Sequence, residues 1–307
     1  MGPGSGFEPE HRAPQTNKTP TVSCNLPSLK NGLNEILGCF RDFLKVDLRL
    51  QEVTVKEHIC EVRRFLAWLR SKGLELGDVS REVLREYLKR FSDMSPYTYK
   101  NVLSSLKRFF RDFLCRPELV SNFKFPSKPF KVKVVPSREE IKRFYNALEK
   151  PIEKALFLLY ATTGLRKREV LRLRFEDVDF DKRMIIPNNG QTRTKRRWVT
   201  FYNVEAERAL REYLASVKKH NGKLFRIGDH SFIEMWRKAY LKTGIKITPQ
   251  VLREWFCMEM AKLGVPDRYV DAFCGRVPRS VLARHYTDYS PEKLREVYEK
   301  ANLKVLG

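Results

Sequence analysis

Residues 124–136 read KFPSKPFKVKVVP, three prolines interleaved with four lysines. Proline removes a backbone donor and biases the preceding residue away from the helical region, and neighbouring lysines repel, so this stretch favours an extended, basic, unpacked chain. Apolar residues recur at helical spacing on both sides of it. A chain divided in this way cannot bury its apolar residues in one core. At 307 residues it is also longer than the ~250 residues beyond which single cores stop growing. The expected organisation is a flexible tail at 1–27, a helical domain at 28–123, a basic linker at 124–136 and a second domain at 137–307.

In the first of these domains, Leu29, Leu33, Ile36, Leu37, Phe40, Phe43 and Leu44 recur at steps of three and four, the period of an amphipathic helix beginning near Ser28. A second helix is expected from about Val55 to Lys72, with Ile59, Val62, Phe65, Leu66 and Leu69 on its apolar side. A third runs from about Ser80 to Phe91. The fourth opens at Ser95-Pro96, a capping residue followed by proline at the first helical position, and carries Leu103, Leu106, Phe109, Phe110 and Phe113. Four helices in so short a stretch make a small bundle. Its outer faces are expected to hold Lys56, Arg63, Arg64, Arg70, Lys89, Lys100, Lys107, Arg108 and Arg111.

After the linker, Ser137 and Glu140 form a capping box in SREE, and helices are expected through Leu148 and from about Ile152 to Thr163. A further helix lies near Leu165 to Leu173. The segments RMIIP and RRWVTF then read as two short strands joined by the polar, basic turn NNGQTRTK, and everything beyond Asn203 reads as helix again. The fold class is mainly α, with one small β-sheet in the second domain.

Sixty Lys plus Arg stand against 37 Asp plus Glu, a net charge of +23. A folded protein so charged implies a polyanionic partner, nucleic acid first. No apolar run reaches the ~20 residues of a membrane helix, and no signal-like segment opens the chain, so a soluble, cytoplasmic, nucleoid-associated protein without membrane contact is expected. Six cysteines, Cys24, Cys39, Cys60, Cys115, Cys257 and Cys274, lie far apart without a CxxC pair; they read as buried thiols, with neither zinc nor disulfides implied. Glutamine is sparse beside Lys, Arg and Glu, a bias of proteins from hot environments.

The segment Ala161-Thr-Thr-Gly-Leu-Arg-Lys-Arg-Glu-Val170, continued by LRLRFEDVDF, resembles the first signature box of the tyrosine recombinase (lambda-type integrase) family, a TG-L-R-x-x-E helix start followed by L-x-x-x-D-V/I-D. Thr248-Pro249-Gln250-Val251-Leu252-Arg253 resembles the family's P-H-x-L-R box with Gln250 where His is usual. Cys274-Gly275-Arg276 resembles its L-G-H box with Arg276 in place of His or Trp, and Tyr286 follows in the position of the family's nucleophile. Departures of this kind resemble the archaeal virus and plasmid integrases of the fuselloviral type. The resemblance spans the chain from Ser28 and implies a core-binding domain, a linker and a catalytic domain that together clamp duplex DNA, four protomers acting on two duplexes.

What the resemblance implies also has a physical logic. Attack on a phosphodiester accumulates negative charge on the non-bridging oxygens, and guanidinium forks match that geometry. Arg166, Arg253 and Arg276 would supply three. A tyrosine with an ordinary pKa of about 10 attacks only where cations stabilise its phenolate, and a 3′-phosphotyrosine conserves the bond energy for rejoining without ATP, metal or other cofactor. Lys195 in the inter-strand turn is the expected general acid for the leaving 5′-oxygen; the register toward Thr192 and the neighbouring Arg193 leave it open against Arg193 and Lys182. Glu169 would buttress Arg166, and Gln250 can donate one neutral hydrogen bond.

Each assignment has a plainer competitor. The arginines can be ordinary residues of basic helices, and Tyr289 or Tyr298 can stand in for Tyr286. The helix from Ser290-Pro291 is expected to join protomers, against packing on its own domain. The whole chain can be a decayed architectural DNA-binding protein or a type IB topoisomerase. Retention of the arginines and of the tyrosine, together with the two-domain size, favours an integrase of a mobile element. The tail suggests a target: Gly6-Phe7-Glu8-Pro9 back-translates to a sequence that can spell the T-arm core of a tRNA gene, while Gly-Pro-Gly-Ser reads equally as any flexible terminus.

Overall fold

The computed structural model describes residues 32–127, 133–187, 199–217, 222–278 and 280–307. The chain forms two compact units that divide between Lys131 and Val132.

The first unit is a helical bundle of α1 (Leu33–Val46), α2 (Glu52–Ser71), α3 (Arg81–Lys89) and α4 (Pro96–Lys107). Ser80 and Ser95 cap α3 and α4 through their hydroxyls, as their positions in the sequence suggest. The expected continuation of α4 to Phe113 is present but changes pitch: Arg108–Phe113 is a π-helical turn. The widened turn buries Phe109 and Phe110 together. Phe109 meets Phe40 edge-on at 5.1 Å and Phe110 meets Phe65 edge-on at 5.6 Å, so one turn stitches α4 to both α1 and α2. Of the expected basic outer residues, Lys56, Arg63, Arg64, Arg70, Lys89 and Arg111 are exposed, whereas Lys100, Lys107 and Arg108 are half-buried. Lys107 lies over the Phe125 ring and Arg108 pairs with Asp112, which draws both stems onto the surface.

The second unit begins with α5 (Arg138–Asn146), whose capping box between Ser137 and Glu140 forms reciprocally, and α6 (Pro151–Thr163). Every residue of α6 from Ala155 to Thr163 is buried, so this helix is the axis of the core, with α8 (Val204–Ala215) and α10 (Pro249–Lys262) packed on it. Between α6 and α8 lie α7 (Lys167–Leu171) and a three-stranded antiparallel sheet, β1 (Val178–Asp179), β2 (Met184–Ile185) and β3 (Thr200–Phe201), in that order. Sequence reading expected only β2 and β3. The strand β1 escaped it because two residues carry no period, and its pairing of Val178 with Ile185 is a tertiary fact. The remaining helices are α9 (Asp229–Thr243), α11 (Asp267–Phe273), α12 (Val281–His285) and α13 (Pro291–Ala301).

The helix α13 packs on its own unit rather than presenting an apolar face outward. Leu294, Tyr298 and Ala301 are buried, and the Tyr298 hydroxyl donates to the Thr162 carbonyl at 2.9 Å. Glu205 accepts from the backbone N–H groups of Val305 and Leu306, which ties down the residues beyond it. Within the chain this helix therefore follows the plainer of the two readings, packing on its own domain. The cysteines depart from the expectation of buried thiols: Cys274 is buried, but Cys39 and Cys257 are half-buried and Cys60 and Cys115 are exposed, because each of these falls away from the centre of its core. Cys24 lies outside the described residues. No helix among the described residues is long and apolar enough to cross a membrane.

Candidate active site

The site is built where α6 ends. Gly164 closes that helix in the left-handed conformation, φ +66°, and has no room for a side chain: a Cβ there would lie 2.7 Å from the Phe256 ring and 2.9 Å from Cys274 Sγ. Leu165 is buried, and Arg166 then becomes the N-cap of α7. Glu169 accepts from both the backbone N–H and the Nη1 of Arg166, each at 2.8 Å, so one carboxylate fixes the start of the helix and the guanidinium together. The strand β3 is held to the same corner by the Thr200 hydroxyl, which donates to the Thr163 carbonyl at 2.7 Å.

Arg253 enters from α10, whose start is capped by Thr248 with Pro249 at the first helical position. It is only 3% exposed. Its Nη1 donates to the carbonyl of Gly164 and its Nη2 to the carbonyl of Cys274 at 2.8 Å. Among the described residues no carboxylate pairs with it. Burial is the main influence lowering its pKa, and the nearby charges of Arg166 and Arg276 lower it further. A guanidinium nonetheless stays protonated, so the fold holds a buried charge with carbonyl dipoles against it.

Arg276 follows α11 through Cys274 and Gly275. It donates from Nη1 to Asp271 at 3.1 Å and lies with Nη2 3.8 Å from Cys257 Sγ. Thus α6, α10 and α11 converge on one another and bring three guanidinium groups within electrostatic range, two of them anchored by carboxylates and the central one by carbonyls.

Other expected residues sit differently. Gln250 is exposed, one turn before Arg253, and its Nε2 donates to Glu254 at 2.9 Å. Glu254 also receives Lys133, a residue read from the sequence as part of an unpacked linker. The linker's end is therefore attached to α10, through a pairing of residues too distant in sequence to anticipate; the i,i+4 spacing of Gln250 and Glu254 was the one local sign. Tyr286 stands at the C-terminal end of α12 with 77% of its surface exposed and is not gathered in among the arginines. Its competitors are committed elsewhere. The Tyr289 hydroxyl donates to the Ala283 carbonyl and Tyr298 to that of Thr162, and burial raises the pKa of both. Lys182 is exposed and pairs with Asp179. Lys195 and Arg193 lie outside the described residues.

Comparison with known proteins places this arrangement in a family. A profile of the phage integrase family matches residues 136–293, and one for a phage integrase N-terminal SAM-like domain matches residues 38–116. The chain belongs to the phage integrase family. It is 25% identical over 287 residues to the tyrosine recombinase XerA of Thermococcus kodakarensis, a match covering 89% of this chain and 98% of that protein. To XerA of Pyrococcus horikoshii it is 28% identical over 252 residues, covering 78% and 87% of the two chains. Among solved structures, a lambda integrase (75–356) dimer bound to a COC′ core site superposes with a TM-score of 0.62 at 13% identity, covering 84% of this chain and 96% of that one. The Tn1549 transposon integrase (82–397), in complex with circular intermediate DNA, does so at 0.61 and 17%, covering 85% and 98%. These similarities establish the fold as that of the lambda-type integrases.

Proposed function

We propose that the chain is a site-specific tyrosine recombinase that cuts and rejoins duplex DNA through a 3′-phosphotyrosine on Tyr286. The observation that carries this reading is Arg253: a buried guanidinium flanked by two others, with no carboxylate against it among the described residues, is a receptor for an anion supplied from outside. In this reading the scissile phosphate occupies that position, with Arg166, Arg253 and Arg276 on its non-bridging oxygens. Glu169 positions Arg166. Gln250 offers its second amide N–H to the phosphate while the first stays on Glu254.

The Tyr286 oxygen attacks phosphorus, the bond to the 5′-oxygen breaks, and Lys195 returns a proton to that leaving oxygen. The phosphodiester energy is kept in the new ester, so the reaction runs without nucleotide. An exposed Tyr286 suits a nucleophile that moves onto its target only when DNA is present. The expected core-binding domain, residues 28–123, and the catalytic domain, residues 137–307, both hold the duplex through Lys and Arg. Four protomers carry out the two strand exchanges.

The substituted second and third boxes support a mobile-element integrase, and the encoded Gly-Phe-Glu-Pro supports attachment at a tRNA gene. Two experiments test the reading. A nicked suicide substrate carrying a candidate site should yield a denaturation-resistant adduct mapping to Tyr286 and absent in Tyr286→Phe; an adduct surviving in that variant moves the nucleophile elsewhere. If codons seven and eight of the gene are not TTC-GAR, or no tRNA 3′ half matches the surrounding stretch, the attachment-site reading fails.

A further inference from the structure

Cys257, on α10 one turn after Arg253, and Cys274, the residue closing α11, bring their sulfurs to 3.4 Å. The pair is set into the arginine cluster. Arg276 Nη2 is 3.8 Å from Cys257 Sγ, and the Cys274 carbonyl is one of the two acceptors that hold Arg253. Cys274 is buried while Cys257 is partly exposed. A thiol that is partly exposed, beside guanidinium groups and touching a second thiol, has the surroundings in which cysteines become redox-reactive.

We propose that Cys257 and Cys274 form a redox site that switches the recombinase off when a hydroperoxide oxidises the pair to a disulfide. Cys257 is the attacking sulfur: the hydrogen bond from Cys274 first, and then the charges of Arg276 and Arg253, lower its pKa to about 7 against the opposing effect of burial. The same contact and burial raise that of Cys274, which therefore keeps its proton. The Cys257 thiolate takes one oxygen of the hydroperoxide, forming a sulfenic acid and releasing alkoxide or hydroxide. The Cys274 sulfur then displaces water from the sulfenic sulfur. Two thiols are oxidised, one peroxide is reduced, and the two thiol protons leave in water and in the peroxide's alcohol or water.

The consequence for the site follows from distance. A disulfide needs its sulfurs at about 2.05 Å, so a pair now 3.4 Å apart must close by about 1.4 Å. Cys274 Sγ is also one of the atoms that leave Gly164 no space for a Cβ, and the Gly164 and Cys274 carbonyls are the two anchors of Arg253. Closure therefore moves the seat of the central arginine and draws the Cys257 sulfur from its place beside Arg276. A displacement near 1 Å at a catalytic group costs up to about 100-fold in rate.

This inference rests on the recombinase reading for its effect on activity but not for its chemistry, and the test separates the two. The full chain is treated with hydrogen peroxide, and disulfides are mapped by peptide mass, with cleavage of the suicide substrate measured in parallel. The expected result is a Cys257–Cys274 link forming ahead of oxidation at the exposed Cys60 and Cys115, a fall in adduct formation of about 10- to 100-fold, and recovery of both on reduction. Cys257→Ser should lose the link and keep, under peroxide, whatever cleavage activity it has beforehand. Should that variant fail to fold, the time courses of link and activity in the unmodified chain decide. A fully inactivated protein without the link, or a linked protein cleaving at the reduced rate, overturns the proposal. If even the reduced protein does not cleave, the recombinase reading fails, and the mass map still decides whether the dithiol reacts.

Discussion

Substituting Gly164 with alanine adds one methyl group at the point where α6, α10 and α11 meet. Two costs are independent. A non-glycine residue in the left-handed region costs about 1–2 kcal/mol, and φ here is +66°. The new Cβ also falls 2.7 Å from two Phe256 ring carbons and 2.9 Å from Cys274 Sγ. Phe256 and Cys274 are both fully buried, so neither swings into solvent, and overpacking of this kind costs about 1–3 kcal/mol. The sum is about 2–5 kcal/mol, equivalent to a fall in Tm of about 4–20 °C for a unit of this size. The carbonyl of Gly164 accepts from Arg253, so the same shift displaces the central guanidinium, and cleavage should fall by about 100-fold. Thermal unfolding followed by circular dichroism reads the first effect, and suicide-substrate adduct formation at a temperature well below the transition reads the second. A variant that melts with the parent protein would refute the packing argument. One that melts early but cleaves at the parent rate would detach Gly164 from the positioning of Arg253.

The other predictions concern chemistry and binding. Glu169→Gln keeps the shape but weakens the charge-assisted bonds to Arg166, so cleavage should drop by about 10- to 100-fold for a loss of about 1.5–3 kcal/mol, with DNA affinity nearly unchanged in a gel-shift titration; an unchanged rate refutes the positioning role. Excess EDTA and omission of nucleotide should leave adduct formation at its full rate, whereas strict dependence on Mg²⁺ would indicate another mechanism. Affinity for duplex DNA should fall by about 10³-fold or more between roughly 50 and 200 mM salt if some six phosphates are contacted, and a flat profile would contradict a +23 chain gripping DNA by its cations.

Much of the fold was legible because its signals are local. Ser80, Ser95, Ser137 and Ser290 all cap helices that the sequence starts at those residues, since a cap needs only neighbours a few positions away. What escaped was long in range or small in size: the two-residue strand β1, the π-turn that buries two phenylalanines at once, and Lys133 reaching Glu254 from the linker. Helical period says which face is apolar but not what lies against it, so Leu294 and Tyr298 of α13 announce a buried stripe without saying that it packs beside Thr162.

The site divides along the same line, and its first box shows why a short motif is so readable. In Thr163-Gly164-Leu165-Arg166, every position has its own physical demand. Thr163 gives its carbonyl to β3, Gly164 takes the left-handed turn with no space for a Cβ, Leu165 enters the core, and Arg166 caps α7 while presenting its guanidinium. Four constraints on four adjacent residues leave a strong mark in sequence. Arg253 depends instead on carbonyls of Gly164 and Cys274, which any residue can provide, and Cys257 and Cys274 meet only through the packing of α10 against α11. Contacts of that sort leave no pattern of spacing, which is why six scattered cysteines read as inert core while two of them stand against the arginines.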